Sequence, residues 1–226
     1  MKDKKDIKIK IFETALEIYS DNPKTFSVRT VAKELKISRE EVYTHFPSKN
    51  AILRYFYQLC FEEYIKHSDE IDDYGKYSLE EKLAHLVYTH IELFQKEKEF
   101  VESSFNEIVY KANPNNVFQK SLEEEVEKIL NNSEGDASFL PSKYISIFLV
   151  KELFHIFKFW IKDDSEKSEQ TIELIDKIIA FVGEILSNQI ISKGIDLGRI
   201  LWDQNYSRLG TKNLNFLFKS LINRCA

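Results

Sequence analysis

Glycine and proline are scarce in this 226-residue chain, at 6 and 4 residues. That scarcity excludes a collagen-like repeat, a linker-rich array and a turn-dense β-sandwich. Two cysteines, Cys60 and Cys225, are too few for a disulfide framework. No stretch of 18 or more uncharged apolar residues is present, so no helix is expected to span a membrane. The opening MKDKKDIKIK is charged and lacks the apolar core of a signal peptide. These absences lead us to expect a reduced, cytoplasmic protein. G-x-S-x-G, P-loop and C-x-x-C patterns are also missing, so neither an enzyme nor a cofactor is expected. At 43% hydrophobic and 31% charged residues, the chain has enough apolar side chains to fold.

What is present is helical period. Ile7, Ile11, Phe12, Ala15, Ile18 and Tyr19 form one stripe over residues 7–20, stopped by Asn22-Pro23. Ser27 can cap a second helix carrying Val28, Val31, Ala32 and Leu35. Ser38-Arg39-Glu40-Glu41 reads as a capping box that opens a third. Pro47 ends the third helix, and Ser48 caps a fourth running toward residue 70. Tyr74-Gly75 is a break, and Ser78-Leu79-Glu80-Glu81 opens a helix to about residue 96. Further helices are expected at about 98–111, 117–131, 142–162 and 167–192. Between 117–131 and 142–162 lies a polar loop from Asn131 to Pro141, and Gly194 caps the last helix.

Charge is distributed unevenly. Residues 1–50 hold 11 Lys+Arg against 8 Asp+Glu, a net of +3. The remaining residues hold 21 against 29, a net of −8, so the total of −5 hides a basic head on an acidic body. Within the head, residues 27–46 have the spacing of a helix-turn-helix, with Val31, Ala32, Leu35, Ile37, Val42 and Phe46 inward. Such a unit lays its second helix in the DNA major groove.

The stretches Thr25–Leu35, Ile37-Ser38 and Val42–Leu53, with Ala15–Tyr19 upstream, resemble the DNA-binding domain of TetR/AcrR-family transcriptional regulators. The resemblance implies an all-α chain with a three-helix DNA-binding domain at 1–50 and a helical effector-binding and dimerisation domain at 51–226. It implies that Ser27, Arg29 and Lys49 meet phosphates, that Arg39, Glu40 and Thr44 face bases or the groove, and that Tyr43 and His45 meet the sugar-phosphate backbone. Two positions depart from the family pattern. Lys36 stands where a turn glycine is usual, in a place that tends to be left-handed. Glu40 stands where a small residue is usual; its carboxylate repels phosphates but can accept from cytosine N4.

The resemblance further implies a homodimer through the helices near 142–162 and 167–192, each apolar around most of its circumference. It implies a double-stranded palindromic operator, repression, and release by a small apolar effector. Phe105, Tyr110, Phe148, Glu152 and His155 are the candidate effector contacts, although the same aromatic content suits a plain core. The alternative is a DNA-binding regulator with no small-molecule effector, whose body docks a protein partner or a membrane surface.

Several features carry two readings. Lys2, Lys4, Lys5 and Lys8 form either a flexible basic arm on DNA or a solubilising tail. Glu152-x-x-His155 is half of a di-metal motif without its second copy, so a satisfied buried pair or a ligand-contacting pair is expected and no metal. Residues 195–226 form either an extra docked helix or an amphipathic partner or membrane-surface helix, with membrane contact the less favoured.

Overall fold

The computed structural model describes residues 2–111, 116–132 and 142–187. Every regular element among them is helical: α1 (Lys2–Asp21), α2 (Val28–Leu35), α3 (Arg39–His45), α4 (Lys49–Glu70), α5 (Leu79–Gln95), α6 (Lys98–Phe105), α7 (Val117–Asn131), α8 (Ser142–Ile161) and α9 (Glu169–Ser187). The expected Asn131–Pro141 loop falls outside the described residues beyond 132, as do the Gly194 cap and 195–226.

The caps explain most boundaries. Ser48 Oγ accepts the Ala51 amide at 3.2 Å and starts α4. Ser78 and Glu81 form the full reciprocal box that opens α5. At α2 the box is Ser27 with Thr30, whose Oγ1 accepts the Ser27 amide at 2.9 Å. At α3 the expected reciprocity is absent. Ser38 Oγ accepts the Glu41 amide at 3.0 Å, but the Glu41 side chain does not return a bond to the Ser38 amide. The first helix begins at Lys2, so the lysines read as a flexible arm lie on its opening turns.

The head is a compact wedge. Ile11, Ala15, Val31 and Val42 are fully buried, with Phe12, Phe26, Ala32 and Phe46 around them. Tyr55 of α4 sits edge-on to both Phe12 and Phe46, at 5.6 and 5.5 Å between centroids, and locks α4 to the wedge. Lys8 Nζ lies 4.0 Å from the Tyr55 ring centroid and covers the other side.

The hydrophobic core continues into the body without a break. Its centre is aromatic: Tyr57 of α4, Phe94 of α5, Phe100 and Phe105 of α6, Phe118 of α7, and Phe154, Phe157 and Trp160 of α8. The helix expected at 98–111 changes character part-way: α6 gives way to a π-helical turn over Asn106–Tyr110. The α8–α9 corner is pinned by Asp163, whose carboxylate accepts the Ser165 and Thr171 amides at 2.9 and 2.8 Å as well as both hydroxyls. Those hydrogen bonds hold its carboxyl far below the usual carboxylate range.

Candidate nucleic-acid interface

The turn between α2 and α3 fixes the angle of the second helix. Lys36 adopts φ 56°, ψ 37°, the left-handed conformation expected of that position. Its amide reaches Lys33 O at 3.2 Å, and the Ile37 amide reaches Ala32 O at 3.0 Å. This pair of bonds is a Schellman closure, normally made with glycine.

Side chains on a helix advance by roughly 100° per residue. With Val42 buried beneath α3, Glu40 and Thr44 fall on the opposite, exposed face, and Arg39 and Tyr43 flank them on one side. Tyr43 is 52% exposed. Thr44 donates its hydroxyl to Glu41 O at 2.7 Å. The Glu40 carboxyl is held below its ordinary range by its own backbone amide first, then by the Ser38 hydroxyl and the neighbouring Arg39 charge. It is therefore ionised at neutral pH and can only accept hydrogen bonds.

Arg29, near the start of α2, and Lys49, the first residue of α4, are both exposed. Lys49 stands at a Ser-capped helix N-terminus, where the dipole favours an anion. His45 and Ser27 are half-buried. The Ser27 hydroxyl is already engaged by Thr30, through its amide and its Oγ1. Ser27 thus shapes the start of α2, and Arg29 is the charge that reaches out.

Ion pairing separates the head from the body. Among the described residues every ion pair lies between Glu63 and Lys177, for example Lys66–Glu63, Lys111–Glu107 and Lys177–Glu173. Arg29, Arg39 and Lys49 make none.

The N-terminal helices match the family model described as bacterial regulatory proteins, tetR family, over residues 11–56. The body matches the model described as tetracyclin repressor-like, C-terminal domain, over residues 82–201. The chain belongs to the TetR family. Its helix-turn-helix is the DNA-binding domain of a transcriptional regulator, and a helical C-terminal domain follows it. No curated protein matches the chain.

The TetR-family body does not bring the five candidate effector residues into one cavity. Phe105 is fully buried against Tyr57, Phe94, Phe154 and Phe157. Phe148 faces outward. Tyr110, His155 and Glu152 form a surface chain: Tyr110 Oη lies 3.0 Å from His155 Nε2, and His155 Nδ1 lies 3.3 Å from Glu152 Oε2. The Glu152–His155 pair is therefore made, but at the surface rather than buried. Among the described residues no group of three His, Cys, Asp or Glu side chains is placed to hold a metal.

A cleft of about 880 Å³ opens elsewhere, between α5 and the α8–α9 corner. Ile91, Trp160, Ile172 and Ile175 give it an apolar lining, with Lys96 and Lys98 among its polar residues. None of the five candidates lines it. The sequence offered no signal for this cleft, because it lies where two helix corners separated by some 70 residues meet.

Contacts between head and body were also invisible in the sequence. Tyr19 of α1 packs edge-on against Phe100 and donates its hydroxyl to Ser103 O at 3.3 Å. Arg54 Nε donates to Ile108 O at 3.1 Å, within the π-helical turn. Tyr57 Oη shares a 2.7 Å hydrogen bond with Ser104 Oγ.

Proposed function

We propose that this TetR-family protein is a homodimeric repressor that acts in the cytoplasm. Residues 1–50 hold a palindromic operator, and residues 51–226 dimerise and admit a small apolar effector whose binding releases the DNA. The observation that carries the reading is the contrast in ion pairing. Exposed cations surround α3 without carboxylate partners, while exposed lysines of the body are repeatedly paired within their own helices. Unpaired cations neutralise phosphate and release counterions, which supplies most sequence-independent affinity. In this reading Arg39, Glu40 and Thr44 face the base edges or the groove, and Tyr43 meets the sugar-phosphate backbone.

Release needs a path from body to head. The segment α6 with its π-helical turn touches α1 through Tyr19 and α4 through Arg54 and Tyr57. A shift of that segment therefore moves both helices on which α2 and α3 rest. An effector shifts the equilibrium only as far as it prefers the displaced conformer over the DNA-bound one.

Selection of bound duplexes from a random pool at one stated salt concentration tests the reading. The expected result is a two-fold symmetric motif with half-sites about one helical turn apart. A single unrepeated site, or no enrichment, overturns it. Release of that duplex by members of an apolar compound set tests the effector; release by none of them favours a body that docks a protein partner.

A further inference from the structure

Taken alone, a glutamate in the first turn of a reading helix is a liability. It faces the phosphates of the duplex, and its repulsion must be offset by something on the DNA. The surroundings of Glu40 narrow what that can be. Its side chain lies on the face of α3 opposite the buried Val42, one turn before Thr44. The Thr44 hydroxyl proton is committed to Glu41 O. No ion pair ties up the carboxylate, although Arg39 beside it is exposed. Its own backbone amide, the Ser38 hydroxyl and the Arg39 charge favour the ionised form, which only accepts hydrogen bonds.

An ionised carboxylate accepts and never donates. In the major groove only two groups donate, the N4 amine of cytosine and the N6 amine of adenine. On adenine the amine stands beside N7, an acceptor that repels a carboxylate. On cytosine the neighbour is a C–H. We propose that Glu40 selects cytosine at one position of each half-site by accepting a hydrogen bond from the N4 amine. This rests on the DNA-reading role of the head proposed above.

The test is a comparison of motifs selected from a random pool by the wild type, Glu40→Ala and Glu40→Gln. In the wild-type motif one column per half-site is cytosine. That column flattens in Glu40→Ala and moves toward adenine in Glu40→Gln, whose amide pairs with N6 and N7. A second measurement uses the wild type alone and is independent of variant folding. Replacing that cytosine by 2-pyrimidinone, which lacks the amine, is expected to weaken binding about 10- to 100-fold. A palindrome identical in all three proteins, a wild-type column of adenine, or indifference to 2-pyrimidinone overturns the inference while leaving the operator reading intact. A wild type that selects no motif overturns both.

Discussion

The amide of Ile37 reaches back to the carbonyl of Ala32 at 3.0 Å, and the bond closes only because Lys36 between them is left-handed. An L-residue with a Cβ meets steric crowding there, at a cost of roughly 1–2 kcal/mol. The turn that aims the reading helix is thus held under local strain by the packing of Ala32, Ile37 and Val42 around it.

Lys36→Gly is expected to relieve that strain. Glycine also gains freedom in the unfolded chain, so the net gain is about 0.5–1 kcal/mol, or roughly 1–4 °C in Tm. Lys36→Ala keeps the Cβ and serves as the control, with Tm unchanged. Equal rises in both variants would place the effect in the lost charge rather than in the backbone.

Lys49 tests the division of labour at the interface. It is exposed and unpaired at the N-terminus of α4. Lys49→Ala is expected to weaken binding to all duplexes about equally and to reduce the slope of log K against log salt by about 1 per subunit, or about 2 for the proposed dimer. Arg39→Ala is expected to alter base preference instead. A changed motif with unchanged affinity in Lys49→Ala would reverse the assigned roles.

These two residues show what was legible in the sequence. Serine caps, Pro23, Pro47 and the apolar period place the helix boundaries, because each acts through its immediate neighbours. Lys36 was readable for the same reason: the turn demands one backbone conformation whichever residue fills it. The reciprocal bond expected of Glu41 does not form, because spacing brings its amide to Ser38 Oγ but does not set where its carboxylate turns. The π-helical turn at Asn106–Tyr110 leaves no mark in the pattern, since an extra residue per turn is accommodated by the packing around it. The effector candidates scatter for a different reason. On a helix apolar all round, period says that Phe148 and Phe154 are on different faces, but not which face meets the core.

His90 makes the body sensitive to acid. The ring is fully buried among Phe61, Tyr64, Phe94, Phe118 and Phe157, and donates Nδ1–H to Leu86 O at 2.7 Å. Burial pushes its pKa down to about 4. Above pH 6.5 the imidazole is neutral in both folded and unfolded chains, and stability is complete. Below that, the unfolded chain takes up a proton that the folded chain refuses, so stability falls toward pH 4. Between pH 6.5 and 5 the loss from this group is about 2 kcal/mol. Urea unfolding at pH 7 and pH 5 should show a smaller drop in His90→Phe than in the wild type. Equal drops would assign the acid sensitivity to carboxylates elsewhere.

The outer face of α8 carries the last prediction. Tyr144, Phe148 and Phe159 are 69%, 59% and 41% exposed, and their spacing of 4 and 11 residues puts them on one stripe. The opposite face of the same helix holds Val150, Phe154, Phe157 and Trp160 in the core. Beside it, α9 exposes Phe181 at 61% while burying Ile175 and Ile179. So many large apolar side chains on adjacent helices suit the surface through which the proposed dimer would form, with a two-fold axis that presents two heads to the proposed palindrome. Because Phe148 is exposed in the single chain, Phe148→Lys removes nothing from the monomer's own core. It is expected to leave the helical content of the chain in place, to halve the mass in sedimentation, and to turn tight binding of the palindrome into weak binding of each half-site. Phe181→Lys should behave alike. A dimer that survives both substitutions would put the interface on another face of the body.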